Sequence, residues 1–318
     1  MTGDQQREWA DALDRVGLEG GYHSLGYHRL GQANGEGTPR LARYTEGAHV
    51  ILLPFLMRPL DDCVPEAEGW DATSVYGYAG PLTTTPTPPA DVLERFRRAL
   101  SAELRRAQVI SLFTRLDPLQ EEQRAVVDGL GAVAEMGPVV VIDLTQHEDA
   151  QHAGYGRSTR RHVRRGAAEG FTCVEDRGLV HLPVVVDLYL ATMSRTGAAA
   201  RYHHQLRYFE RMMEELGGAA RLFVCLRGDD VLSGSVYLVE GPHVHAHLGG
   251  SVRQPGTPSP GTFETDRVRR WASAQGHRWL NLGGGVGSRD DSLLEYKLGF
   301  SKTTLPFRTW RWVIDEAR

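Results

Sequence analysis

Between positions 90 and 108 apolar residues recur every three to four places. Leu93, Phe96, Leu100 and Leu104 form one stripe, with Arg95, Arg98, Arg105 and Arg106 outside it. That period predicts a helix that buries one face. The apolar run 109–113 follows as a strand, ended by Asp117-Pro118. The same order returns near the other end, where a helix over 262–274 feeds a buried strand over 279–282. Antiparallel hairpins precede each of these units. In the first half, 40–44 and 50–53 flank a turn at Glu46-Gly47; in the second, 220–227, 231–239 and 243–248 form a meander.

The remaining pattern predicts a first helix capped by Asp4 with Trp9, Leu13 and Val16 on one face, and strands and turns from 22 to 59. A Thr/Pro loop over 83–89, a helix over 121–130 and a strand over 139–144 come next. In the second half, helices are expected over 158–169, 182–196 and 203–216, the last with Leu206, Phe209, Met213 and Leu216 aligned. Strands are expected over 171–175 and 307–314. The polar, glycine-containing stretch 145–156 is the natural boundary. The expected architecture is therefore mixed α/β in two similar domains, 1–150 and 151–318, each on a largely antiparallel sheet, with the last strand free to return to the first domain.

Composition narrows the function classes. The 318 residues are 41% apolar and 24% charged, ordinary for a soluble globular chain. The net charge of −4 leaves nucleic-acid contact to local basic patches. Cys63, Cys173 and Cys225 are distant and odd in number, without a CxxC pair, so neither a disulfide framework nor a zinc site is supported. The first residues lack an apolar signal core and no apolar run is long enough to span a bilayer, so a cytoplasmic location is expected.

Lysine usage singles out one position. Against 34 arginines the chain has two lysines, Lys297 and Lys302. Lys297 follows the strand Leu280-Asn281-Leu282 and the loop Gly283-Gly284-Gly285-Val286-Gly287. A compact ammonium approaches a developing oxyanion more freely than a planar guanidinium. The glycine loop is no dinucleotide fingerprint, since its third position is Ser288, and no Walker loop, since no lysine is near enough. It suits close approach of backbone to a substrate or a neighbouring strand. Arg157, Arg160, Arg161, Arg164 and Arg165 crowd one predicted helix, and four of them share a face that would suit a phosphate-bearing partner. His243, His245 and His247 alternate on a strand, but no carboxylate or cysteine at ligand spacing completes a metal set.

Several stretches, in order, resemble the Fem family of peptidoglycan-bridge aminoacyltransferases and their FemAB-like relatives in the GNAT superfamily. They are Leu53-Pro54-Phe55-Leu56-Met57-Arg58, Tyr76-Gly77-Tyr78-Ala79-Gly80-Pro81-Leu82 and Arg115-Leu116-Asp117-Pro118, then the basic helix from Ser158, Asn281-Leu282-Gly283-Gly284-Gly285, and Ser292 to Phe300. The resemblance implies two GNAT-like domains with a substrate cleft between them. It implies transfer of an aminoacyl group from aminoacyl-tRNA, as co-substrate and without a cofactor, to the amine of a cell-wall precursor or small natural product. Lys297 matches the lysine proposed to stabilise the tetrahedral intermediate, and Asp117 an aspartate proposed to assist proton removal. Tyr76, Tyr78, Arg161, Arg164, Arg165, Arg195, Arg201, Tyr202, Gly284 and Tyr296 are the substrate-binding positions expected with it. The chain lacks the long helical hairpin that some members use as a tRNA arm.

Two other classes compete. An acyl-CoA-dependent GNAT enzyme needs free backbone N–H groups at a helix start, but Arg253-Gln254-Pro255-Gly256-Thr257-Pro258 and Pro260 delete three of them. A non-catalytic binding module on the same fold is the third reading.

Overall fold

The computed structural model describes residues 3–18, 20–62 and 68–315; Cys63 lies outside them. The chain is mixed α/β and divides into two compact units, 1–137 with 306–318, and 138–305. The transition falls at Gly137, not in the stretch 145–156. The reason is that strand β6 (Ala132–Asp143) runs through it unbroken, starting earlier than its apolar half suggests. The expected boundary stretch folds into the second unit as helix α5 (Glu148–Ala153), where the Gln151 amide donates to Leu144 O and Gln146 O.

The first unit holds α1 (Gly3–Arg15), α2 (Leu25–Ala33), β1 (Thr38–Glu46), β2 (His49–Pro59), β3 (Trp70–Thr73), β4 (Leu82–Thr83), α3 (Ala90–Arg106), β5 (Val109–Leu116), α4 (Glu122–Val127) and most of β12 (Thr304–Val313). Its strands run β1-β2-β3-β5-β12. Every pairing is antiparallel except β3 with β5, which α3 connects. Leu93, Phe96, Leu100 and Leu104 all lie in the core, against Leu53, Phe55, Leu112 and Trp310. Burying each contributes roughly 1.5–3 kcal/mol.

Helix α2 departs from the strands and turns expected over 22–59. Ser24 caps it by accepting from Tyr27 N at 3.2 Å. Gly31 hides it from a propensity reading, because a glycine inside a helix costs about 1 kcal/mol. Close packing accounts for that glycine: a Cβ there would stand 2.9 Å from Leu56 Cδ1. Helix α4 stops at Val127, short of the expected 130, where Asp128 turns extended and Gly129 takes a φ of 76°.

The second unit contains the far half of β6, α5, α6 (Arg157–Ala168), β7 (Phe171–Glu175), α7 (Leu182–Thr196), α8 (Leu206–Leu216), β8 (Ala220–Arg227), β9 (Asp230–Glu240), β10 (His243–Ser251), α9 (Pro260–Ala274), β11 (Trp279–Gly283) and α10 (Ser292–Leu298). Strand order is β6-β11-β10-β9-β8-β7, again antiparallel except for one pair, β10 with β11, which α9 connects. Its core gathers Val140, Phe223, Val244, Val268, Leu280, Leu294 and Phe300. Helix α8 begins three residues later than expected and turns Met212, not Met213, inward.

Candidate active site

The second unit opens where β10 and β11 part. They pair over three positions, His243 with Trp279, Val244 with Leu280 and His245 with Asn281. Beyond these β10 continues along β9, while β11 stays on β6 with Gly283 opposite Val140. Asn281, buried at the fork, accepts from Gly283 N at 2.8 Å and lies 3.4 Å from His245 Nδ1. This bond starts the turn, and Gly283 follows with a φ of 76°. At Gly284 a Cβ would come within 2.7 Å of Pro138 O, so the loop needs glycine to lie against β6.

Helix α10 returns Lys297 to this loop. Asp291 caps the helix, accepting from Leu293 N at 3.0 Å and Leu294 N at 2.9 Å, and also holds Val286 N at 2.8 Å. Lys297 Nζ donates to Gly284 O at 2.6 Å. Burial pushes its pKa down from 10.5 to about 8, against the opposing pull of Asp291. The amine is therefore mostly protonated at neutral pH yet close to its titration point. Lys302 differs: it is exposed and donates to Leu298 O at 2.8 Å, closing the end of α10.

Tyr296 stands beside Lys297 with 38% of its surface exposed, but its hydroxyl is inside, 3.5 Å from Thr265 Oγ1. Burial raises that hydroxyl to about 12. Lys297, Gly284 and Tyr296 thus come together. Behind them lies a residue the sequence reading missed, Glu264 on α9, 1% exposed. Ser233 Oγ donates to its Oε2 at 2.6 Å and the Tyr237 hydroxyl to Oε1 at 3.4 Å. Burial nonetheless lifts its carboxyl to about 7. The signal was present: Glu264 falls in line with Val268 and Ala272, a carboxylate on an apolar stripe.

The basic helix is α6. Arg160 is tied to Tyr155 O at 2.5 Å, and Arg165 to Gly256 O at 2.9 Å and Glu169 at 3.0 Å. Arg157, Arg161 and Arg164 are exposed. Arg195, on the last turn of α7, donates to Thr192 Oγ1, and Arg201 lies 4.8 Å over the Tyr202 ring, in the connection to α8. The three histidines do not simply alternate. The His243 and His245 rings lie 6.3 Å apart, but a bulge between Ala246 and Leu248 breaks the register at His247. Burial depresses His247 to about 3.

The first unit holds the other expected residues. Asp117 is buried at the end of β5, accepting from Leu119 N at 2.9 Å and Gln120 Nε2 at 3.2 Å, while Gln123 Oε1 accepts from its N–H at 2.7 Å. A shallow hollow beside it is lined by Gln120, Arg124 and Arg308. Tyr76 is exposed and takes Arg115 against its ring at 5.8 Å; the Tyr78 ring packs edge-on to Tyr22 and Phe307. Cys173 and Cys225 are free thiols, opposite one another on β7 and β8.

Residues 154–298 match the family described as an acetyltransferase (GNAT) domain. The matched residues all lie within the second unit. The whole chain shares its fold with FemX, at 13% identity and a TM-score of 0.71, covering 97% of this chain and 96% of that one. L-PGS from Bacillus licheniformis is similar at 14% identity and a TM-score of 0.59, covering 98% and 92%. The C-terminal domain of a putative lysylphosphatidylglycerol synthetase from Agrobacterium fabrum is similar at 15% identity and 0.55, covering 94% and 91%. No curated protein matches the chain. Among the described residues no helix is long and apolar enough to cross a membrane.

Proposed function

We propose that the chain is an aminoacyltransferase that moves an aminoacyl group from aminoacyl-tRNA to the amine of a cell-wall precursor or small natural product, forming an amide. The observation that carries this reading is the Lys297 ammonium held 2.6 Å from Gly284 O at the fork of the GNAT sheet. An aminoacyl ester is already an activated carbonyl, so catalysis must chiefly align the amine and stabilise the oxyanion. Lys297 supplies the positive charge; the attacking nitrogen forms the new C–N bond, and the ribose oxygen leaves with its electron pair. A water takes the proton that the amine loses. The exposed Arg157, Arg161 and Arg164 suit a phosphate backbone, and the fold shared with FemX supports the same reading.

A second reading, acyl-CoA-dependent N-acyl transfer, is favoured by the GNAT family match itself. The start of α9 counts against it. Ser259 N donates to His162 Nδ1 at 3.1 Å, Thr257 N to Gln254 O, and Pro255, Pro258 and Pro260 have no N–H to offer a pyrophosphate. Incubation with a mixed charged-tRNA pool and, separately, with acyl-CoA tests the choice. Loss of one aminoacyl ester in the presence of an amine acceptor is expected. Consumption of acyl-CoA alone would replace this reading by the second, and consumption of neither would leave a binding module.

A further inference from the structure

One face of the first unit's sheet is closed by α3, with Phe55, Ala72, Leu112 and Trp310 in the core beneath it. Strand alternation sends the intervening residues to the opposite face, and the register lines them up in rows. One row runs Arg58, Asp71, Ser111, Val313 across β2, β3, β5 and β12; the next runs Leu56, Thr73, Phe113, Arg311. Helix α2 packs on the second row at Leu56. Towards β12 the cover gives out, and Arg311 and Val313 are exposed, the latter at 57%. Met136 joins them from β6, on the side away from Val133, which packs into the α3 core. Arg115, two places beyond Phe113, lies over the Phe113 ring at 5.1 Å and the Tyr76 ring at 5.8 Å. Among the described residues of the first unit, Tyr76, Met136 and Val313 are the large apolar side chains left exposed, and all three border this area.

The uncompensated charge here is of one sign. Asp71, the one carboxylate in the two rows, is taken by Arg58 at 2.7 Å and by Ser111 Oγ at 2.5 Å. Arg311 is in no ion pair among the described residues, and Arg115 donates only to Ser74 Oγ and Val75 O, both at 3.4 Å. Two such arginines among exposed rings and aliphatic side chains suit a ligand that alternates flat apolar faces with negative charge. That is the chemistry of an unpaired nucleic-acid strand, whose bases lie on open sheet faces while arginines hold its phosphates. A second copy packed face to face would instead set Arg115 and Arg311 against their own equivalents, a repulsive arrangement. We propose that this open face of the first unit's sheet binds a single-stranded RNA segment, with phosphates at Arg115 and Arg311 and bases against Tyr76, Phe113 and Val313. Assigning that segment to the charged tRNA rests on the proposed function; the binding face does not.

The test titrates the full chain with a short, uncharged, fluorescein-labelled single-stranded RNA and follows anisotropy at several salt concentrations. Tyr76→Ala should weaken binding about fivefold or more, the effect of losing one stacked base. Arg311→Gln should reduce the slope of log affinity against log salt by about 0.7, one phosphate contact. Val313→Glu should weaken binding by placing a carboxylate on the face. All three side chains are exposed, so the fold should survive each change. Carrying 5-bromouridine, the same RNA should cross-link under ultraviolet light to the peptide holding Tyr76 or the one holding Phe113. No binding by the wild type, binding that the three variants leave intact, or cross-links confined to α6 overturns the proposal. So does a wild-type dimer in sedimentation that Val313→Glu dissociates while RNA stays unbound, which would give the face to a second copy. The two readings fail separately. RNA bound as described with no charged tRNA consumed would sink the proposed function alone. Consumption of charged tRNA with no RNA bound at this face would sink this inference alone.

Discussion

Helices α3 and α9 do the same topological job in the two units, each carrying the chain to a parallel neighbouring strand, yet they are built differently. α3 buries one apolar stripe and covers its outer face with exposed ion pairs, Arg98 with Glu94 and Arg106 with Glu103 at 2.6 Å. Such pairs contribute little to stability. α9 is buried on nearly every side and takes charges in with it: Glu264, Asp266 and Arg269 are each at or below 1% exposure. Arg269 is satisfied by the Tyr155 hydroxyl at 2.8 Å and Gln151 Oε1 at 2.7 Å. A helix that only completes a fold can leave its charges in water. One that brings them inside bears a desolvation cost and needs partners to offset it, Ser233 and Tyr237 for Glu264, Tyr155 and Gln151 for Arg269.

The sharpest way to break the contrast is in the segments that follow the strands these helices feed. Lys297→Met should lower kcat by on the order of 10²–10³ with little change in donor affinity, as for loss of one oxyanion donor. Lys297→Arg should restore little, since a planar fork does not replace a point charge. Single-turnover kinetics with a charged tRNA would measure both. If Asp117→Asn lowers kcat as far with Lys297 intact, the two strand ends matter equally and the contrast fails.

Stability should separate the helices next. Leu100→Ala in α3 should cost about 2–5 kcal/mol at any pH, read by urea melts. Glu264→Gln should instead change how stability depends on pH. The folded carboxyl sits near 7 and the unfolded one near 4.5, so the wild type loses stability as pH rises through that window. The glutamine variant should lack this loss; an identical pH slope in both proteins would show that Glu264 is not raised.

The pH dependence of transfer distinguishes two roles for Lys297. With a folded pKa of about 8, a protonated oxyanion stabiliser gives a rate that falls, up to about tenfold per unit, as pH rises above that value. A rate that climbs through the same range would make the neutral amine a base. The smallest effect is expected at the surface. Arg161→Glu with Arg164→Glu should weaken tRNA binding and reduce the salt slope by about two contacts, and a slope unchanged by both would leave α6 a solvated face.

The legible parts of the molecule carry a clear apolar signal. The α3 stripe follows from helical spacing, because that helix meets solvent on one face and core on the other, while the hairpin strands and the strand entering the glycine loop follow from short apolar runs bounded by turns. Helix α2 was hidden by Gly26 and Gly31, and at Gly31 the helix-breaking tendency is overruled by close packing on Leu56. Lys297 could be singled out because lysine is rare here, and Gly284 because it stands in a run of glycines. Glu264 was passed over because a glutamate in a helix ordinarily faces water; only the three-dimensional cover from β9 makes it a buried acid. The chain's passage between units was misplaced for a related reason: polar residues signal a loop, whereas here the crossing lies inside a strand.

With both lysine side chains gathered at α10, amine chemistry on this protein is nearly a local probe. Dyes, cross-linkers and activated surfaces have only Lys297 and Lys302 as side-chain targets, five residues apart. Coupling through amines would therefore crowd the one region whose access matters for transfer, and would do so in every molecule alike. The same scarcity makes mass-shift mapping simple, since Lys302 serves as an exposed internal reference against which the shielding of its neighbour can be read.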